Sequence, residues 1–204
     1  MGIVRYGAGN AGAVAAALRS LGAEVVDVAD RAALLEPSLD GLVLPGVGAM
    51  PSAAAELRMR GLWQPLRERV GAGIPLLGVC LGMQLLFGES DEGDAGLALL
   101  PGRTARLRDR RVPHLGWASV APSPGAILFS RWQGPAYAYF AHSYGVVDVP
   151  DGLVAARTTG EGEGDGLVAA VACDRVFGVQ FHPERSQGAG LAVLGGFLER
   201  AVAA

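Results

Sequence analysis

Cys80 stands between two glycines in Gly78-Val79-Cys80-Leu81-Gly82-Met83-Gln84. An apolar run leads straight into it, and a helix-like segment, Leu81 to Phe87, starts at once behind it. This G-x-C-x-G spacing is the thiol counterpart of the nucleophile elbow. The turn is tight, so side chains at the flanking positions would collide with the strand before it and the helix after it. The helix N-terminus then faces the sulfur and favours its thiolate form. The N–H of Leu81, next after the nucleophile, is placed to bind an oxyanion. The plain alternative is a core cysteine, since free thiols are commonly buried.

A thiolate nucleophile needs a base, and the chain holds three histidines, His114, His142 and His182. His182 lies in Phe177-Gly178-Val179-Gln180-Phe181-His182-Pro183-Glu184, where an apolar strand delivers it to a proline turn. Glu184, two residues on, can fold back and orient the imidazole as the third member of a Cys-His-Glu triad. His142 also ends a strand, but no carboxylate follows it until Asp148. A structural or substrate-facing role suits it, and His114, better. Cys173 is expected as a buried strand residue. No set of His, Cys and carboxylates has metal-ligand spacing, so neither a catalytic metal nor a cofactor is expected.

These residues need a scaffold that brings them together. Ile3–Tyr6, Glu24–Val28, Gly41–Pro45 and Ile74–Val79 read as strands. Between them lie an Ala-rich helix ending near Leu21, a helix capped by Ser52 and running through Leu57, and a helix from Leu62 to Val70. This β-α-β-α rhythm predicts a parallel sheet covered by helices. Ligands bind at the carboxyl ends of such strands, where Cys80, His182 and the loop Pro45-Gly46-Val47-Gly48 all fall. From Leu99 to Val179 the runs shorten. Ala105–Leu107, Trp117–Val120, Ala126–Phe129, Ala138–Phe140, Leu153–Arg157, Leu167–Ala172 and Val176–Gln180 read as strands, several of them in hairpins. Residues Gly160 to Gly166 form an acidic loop, and Gly188–Val202 an amphipathic helix. No linker or repeat divides residues 1–204, so one domain is expected.

Composition narrows the class. The 204 residues carry a formal net charge of -3, and all 17 Lys-plus-Arg positions are Arg. No basic block suggests nucleic acid, and Arg103 to Arg111 reads as a solvated strand or loop. No window reaches the length of a membrane span, and the N-terminus lacks a secretory layout. Two cysteines make no disulfide framework. A cytoplasmic chain with reduced thiols is expected.

With Cys80 and His182-Pro183-Glu184 in hand, the chain resembles the class I (triad) glutamine amidotransferases. Within them it is similar to the glutaminase subunits of imidazole glycerol phosphate synthase. Tyr6-Gly7-Ala8-Gly9-Asn10, Pro45-Gly46-Val47-Gly48-Ala49-Met50, the Cys80 stretch, Pro113-His114-Leu115-Gly116-Trp117, Tyr139-Phe140-Ala141-His142-Ser143-Tyr144 and Gly178 to Gln187 carry the likeness. The resemblance implies an α/β fold, flavodoxin-like, with three α/β/α layers, a mostly parallel central sheet and an added antiparallel region in the second half. It implies Cys80 as nucleophile, His182 as base and then acid, and Glu184 as its orienter. Leu81, Val47 and Gly48 become oxyanion donors, and Gln84, Glu92, His142, Ser143 and Tyr144 substrate contacts. The implied partner is the (β/α)₈-barrel cyclase subunit, met through Asn10, Trp117 and Arg185, which takes up the ammonia for histidine biosynthesis.

Three positions depart from the family pattern: Arg5 stands for a usual Asp, Gly145 for an aromatic, and Arg185 for Lys. The rival readings are another triad glutaminase or related hydrolase on the same fold, and a binding subunit with a vestigial site. The Val47 loop and the Trp117 stretch argue against the first, and the intact triad argues against the second.

Overall fold

The computed structural model describes residues 1–7, 9–108, 112–134, 136–160 and 166–202. The parallel half contains β1 (Gly2–Val4), α1 (Ala11–Ser20), β2 (Val26–Val28), α2 (Arg31–Leu34), β3 (Leu42–Gly46), α3 (Met50–Met59), α4 (Trp63–Gly71), β4 (Leu76–Cys80) and α5 (Leu81–Gln84). Then follow β5 (Phe87–Ser90), β6 (Leu100–Arg106), β7 (His114–Pro122), β8 (Ala136–His142), β9 (Tyr144–Val147), β10 (Val154–Thr159), β11 (Val168–Cys173), β12 (Val176–Val179) and α6 (Gln187–Val202).

The main sheet has nine strands in the order β2-β1-β3-β4-β12-β11-β10-β7-β8. Strands β2, β1, β3, β4 and β12 run parallel, as the alternating rhythm of the first half predicts. The second half extends the same sheet through antiparallel pairings. A separate sheet, β5-β6-β9, lies beside it.

Side-chain alternation creates the layers. Leu42, Leu44 and Leu76 belong to one core with Met50, Leu57, Leu66 and Val70 of α3 and α4. Val43, Leu77 and Val79 belong to the opposite core, with Val14 and Leu18 of α1 and Val193, Leu194 and Phe197 of α6. The centre of the sheet, β3, β4 and β12, is therefore buried on both faces, whereas β7 leaves Leu115 and Trp117 exposed.

Several expectations need correction. Ala126–Phe129 is not a strand; Ile127–Phe129 forms a 3₁₀ turn, because Pro124-Gly125 turns the chain just before it. Ser52 does not cap α3, which begins at Met50 with Pro51 in its first turn. The helix behind Cys80 ends at Gln84, and Phe87 opens β5. Cys173 does lie on a strand, but it is only half-buried. Arg5 lies just beyond β1, where its N–H still bonds Val28 O and its guanidinium pairs with Asp27. Arg103 pairs with Asp91 and Asp148. Residues 109–111, and residues 161–165 of the expected acidic loop, lie outside the described residues.

Candidate active site

Strand β4 ends at Cys80, whose backbone sits at φ 55° and ψ −111°. A non-glycine residue holds such a conformation at a cost of about 1–3 kcal/mol, so the surroundings must enforce it. The two glycines explain how the turn fits. A Cβ on Gly78 would lie 2.5 Å from Gly82 O. One on Gly82 would overlap Leu44 O in the neighbouring strand. The elbow is therefore wedged against β3, and the first N–H of α5, that of Leu81, follows the sulfur directly.

Strand β12, paired with β4, delivers His182 to the same end of the sheet. His182 Nδ1 donates to Glu184 Oε1 at 2.9 Å, with the two side chains 7% and 1% exposed. Burial alone would lower the imidazole's proton affinity. Its hydrogen bonds with Cys80 and Glu184, and the charges of both, outweigh burial and push its pKa up to about 10. At neutral pH the proton therefore rests on His182, which faces the Cys80 sulfur.

Ser186 locks this turn in place. Its hydroxyl donates to His182 O at 2.6 Å and accepts from Tyr139 N at 3.0 Å, while His182 N donates to Tyr139 O at 2.8 Å. Helix α6 packs so closely beneath that a Cβ on Gly190 would overlap Pro183 O.

A cavity of about 260 Å³ opens over the sulfur, lined among others by Val47, Gly48, Cys80, Leu81, Gln84 and Glu92. Pro113 and residues 141–144, including His142, Ser143 and Tyr144, form its other wall. All the oxyanion and substrate-contact residues of the sequence reading thus meet in one place. Gly48 has φ 95°, and Val47 is exposed at the rim. Glu92 also serves the backbone of a neighbouring helix. Its Oε2 accepts from Met50 N at 2.7 Å and so caps α3, in place of Ser52.

The wall holds a linked pair of histidines. His142 Nδ1 donates to Tyr144 O at 2.8 Å, because a carbonyl can only accept. His142 Nε2 then accepts from His114 Nδ1 at 3.2 Å. Burial lowers the His142 pKa to about 4, the charges of His114 and His182 push the same way, and the Tyr144 bond opposes them. His142 is thus a neutral, oriented ring at physiological pH.

The three residues assigned to the partner surface lie on the outside. Asn10 is exposed at the start of α1 and makes no side-chain cap bond. Trp117 packs edge-on against Tyr139, and the Arg185 guanidinium lies 4.0 Å over the other member of that pair, the Tyr139 ring. Trp117 and Arg185 therefore form one continuous patch through Tyr139.

The class-I glutamine amidotransferase family model matches residues 3–199. The imidazole glycerol phosphate synthase subunit HisH of Symbiobacterium thermophilum is 45% identical over 195 residues, spanning 94% of this chain and 90% of that protein. This chain belongs to the class-I glutamine amidotransferases, among the HisH subunits. The Moorella thermoacetica HisH is likewise 45% identical over 203 residues, covering 97% of this chain and 93% of that protein. A solved glutamine amidotransferase superposes with a TM-score of 0.79 at 24% identity over 98% of both chains. PurLQS of Thermotoga maritima superposes with a TM-score of 0.76 at 20% identity, over 98% of this chain and 97% of that one, a likeness of fold. The amidotransferase is thus an enzyme on a flavodoxin-like scaffold. Among its described residues, no helix is long and apolar enough to cross a membrane.

Sequence reading missed Gln180, Ser186 and Tyr6 in this amidotransferase. Gln180 is buried, with Nε2 3.7 Å from Cys80 Sγ. Tyr6 is fully buried, and its hydroxyl has no hydrogen-bond partner among the described residues. Burial first, and then the charge of Cys80, raise its pKa. A Gln or Ser in a turn carries no periodic signal. Only the adjacency of Gln180 and Ser186 to the His182 motif could have drawn notice.

Proposed function

We propose that this chain is a glutaminase that hydrolyses glutamine to glutamate and ammonia through Cys80, His182 and Glu184. The observation that carries the reading is the strained Cys80 elbow, with an imidazole held protonated beside it and a cavity above it. The thiolate attacks the side-chain amide carbon, and the developing oxyanion is met by the Leu81 N–H and an N–H of the Val47–Gly48 loop. His182 gives its proton to the departing nitrogen, and ammonia leaves a thioester on Cys80. The now neutral imidazole takes a proton from water, whose hydroxide attacks the thioester. Glutamate departs, and the thiolate–imidazolium pair is restored. Glu184 keeps the Nδ1–H in place throughout, so that Nε2 does the proton work.

Gln84, Glu92, His142, Ser143 and Tyr144 hold the substrate. Gln84 and Tyr144 have already committed groups to each other, since Gln84 Nε2 donates to Tyr144 O at 2.8 Å. The Gln84 side-chain oxygen is the atom left to face a substrate. Ammonia passes to a (β/α)₈-barrel cyclase subunit docked on Asn10, Trp117 and Arg185, which forms imidazole glycerol phosphate. Aromatic and Arg side chains on one patch are the kind of anchors that dominate interfaces. The cytoplasm is the proposed compartment.

The test uses the assembled complex. Cys80→Ala abolishes glutamate release, and added ammonium restores cyclisation. Glutamate release above a few per cent of the native rate would remove Cys80 from its role. Failure with ammonium as well would overturn the division of labour between the two subunits.

A further inference from the structure

Two side-chain amides and one backbone carbonyl form a chain that ends on Cys80. Tyr144 O can only accept, so the group facing it from Gln84 at 2.8 Å is the amide nitrogen. That same nitrogen lies 3.1 Å from the Gln180 side chain, which must therefore present its oxygen. The Gln180 nitrogen is left facing Cys80 Sγ at 3.7 Å. Reversing either amide would set two donors or two acceptors face to face. The backbone helps to hold Gln180 in place, since its N–H donates to Ala169 O at 2.9 Å.

We infer that Gln180 is a further catalytic group of this site, a neutral donor that stabilises negative charge on Cys80 Sγ and is aimed by Gln84 and the Tyr144 carbonyl. This rests on Cys80 being the nucleophile. Gln180 is 1% exposed, so no water competes for its N–H, and a bond to a charged group gains strength in such surroundings. The donor serves the reaction twice. It favours the thiolate that attacks the amide, and it favours the same thiolate as the leaving group when hydroxide splits the thioester. In between, the sulfur is neutral and the bond weakens, so the donor favours the steps out of the intermediate over the intermediate itself. Gln180 is not among the residues that line the substrate cavity, whereas Gln84 is. Its contribution therefore falls on turnover rather than on substrate binding. Among the described residues, titratable groups facing Cys80 include His182, backed by Glu184, and Tyr6, and the charge of His182 in turn acts on His142.

Gln180→Met keeps length and removes the donor. Alkylation of Cys80 by iodoacetamide, followed by mass spectrometry across pH, then reaches half its plateau rate about one pH unit higher than in the native chain, a tenfold change in the proton equilibrium. In the complex with the cyclase subunit, kcat for glutamate release falls about tenfold, with KM within about twofold. A second measurement needs no change at Gln180. In the native chain its side-chain amide resonances shift with pH through the same midpoint as alkylation, and they stay still in Cys80→Ala. A native-like alkylation profile and kcat in Gln180→Met overturn the inference. So do Gln180 resonances in the native chain that ignore the titration, and these decide alone if the variant does not fold. Glutaminase activity retained in Cys80→Ala would instead defeat the underlying assignment of the nucleophile, so the two failures are distinguishable.

Discussion

Glu184→Gln tests the proposed triad where its geometry leaves no comfortable substitute. Glu184 Oε1 accepts from His182 Nδ1, and Glu184 Oε2 is buried with no hydrogen-bond partner among the described residues. A glutamine can be placed in two ways. With its oxygen toward His182, its NH₂ sits where Oε2 was, a buried donor with nothing to accept from it. With its NH₂ toward His182, Nδ1 must lose its proton to accept, and the proton moves to Nε2, where the base is needed. A buried hydrogen bond to a charged group is worth about 1.5–3 kcal/mol, and each 1.36 kcal/mol is tenfold in rate. The variant's kcat for glutamate release therefore falls about 10- to 100-fold, with KM little changed. The His182 pKa, pushed up to about 10 in part by Glu184, also falls. Since the folded-state value lies above the ordinary 6.5, this group's contribution to stability is complete below pH 6.5 and is lost as pH climbs through about 10. The native chain is thus more heat-stable than the variant at neutral pH, and the gap closes above pH 10. The assay is steady-state glutamate release by the complex, with ammonium-driven cyclisation as an internal standard. A variant with native kcat would refute the orienting role, and equal loss of the ammonium reaction would show that the damage lies elsewhere.

Two further outcomes follow from the site. Gly82→Ala drives a Cβ into the Leu44 carbonyl of an interior strand, so soluble yield and thermal midpoint both fall; a native melting curve would show that the elbow has slack it is not described as having. His142 is held neutral with a pKa lowered to about 4. Its folded-state value lies below the ordinary 6.5, so stability is complete above pH 6.5 and declines as pH falls toward 4. His142→Gln flattens that slope in thermal unfolding measured from pH 7 to 4, and an unchanged slope would assign the acid sensitivity to other groups.

Most of the parallel half was legible because β1, β3 and β4 are apolar runs next to turns, and α1, α3 and α4 are long enough to show their period. Helix α2 was missed because four residues, capped by Asp30, show no period at all. Strands β5 and β9 were missed because they pair in a side sheet, where burial is patchy and alternation weak. Cys80, His182 and Glu184 were legible because steric need and chain proximity are local: glycines flank the thiol, and the carboxylate is two residues from its histidine. Gln180 was not legible, because its meaning depends on Gln84, 96 residues away, and on Cys80, 100 residues away. The capping of α3 by Glu92 escaped notice for the same reason, with the two partners 42 residues apart.

The strand order has a consequence for how the chain folds. β4 is flanked by β3 and by β12, with Leu76 registered against Val176 and Val79 against Val179. During synthesis β3 is available early, but the other side of β4 stays an open edge until almost the whole chain has emerged. Such distant pairing is slow, and an apolar open edge is the part of a nascent chain most exposed to wrong partners. The β11–β12 hairpin closes that edge, and the same movement carries His182 and Glu184 to the sulfur. On the proposed mechanism, completion of the sheet and arming of Cys80 are therefore one event. A half-made chain holds Cys80 but does not yet hold His182, its proposed base, beside it, and the two meet only when the last interior strand is in place.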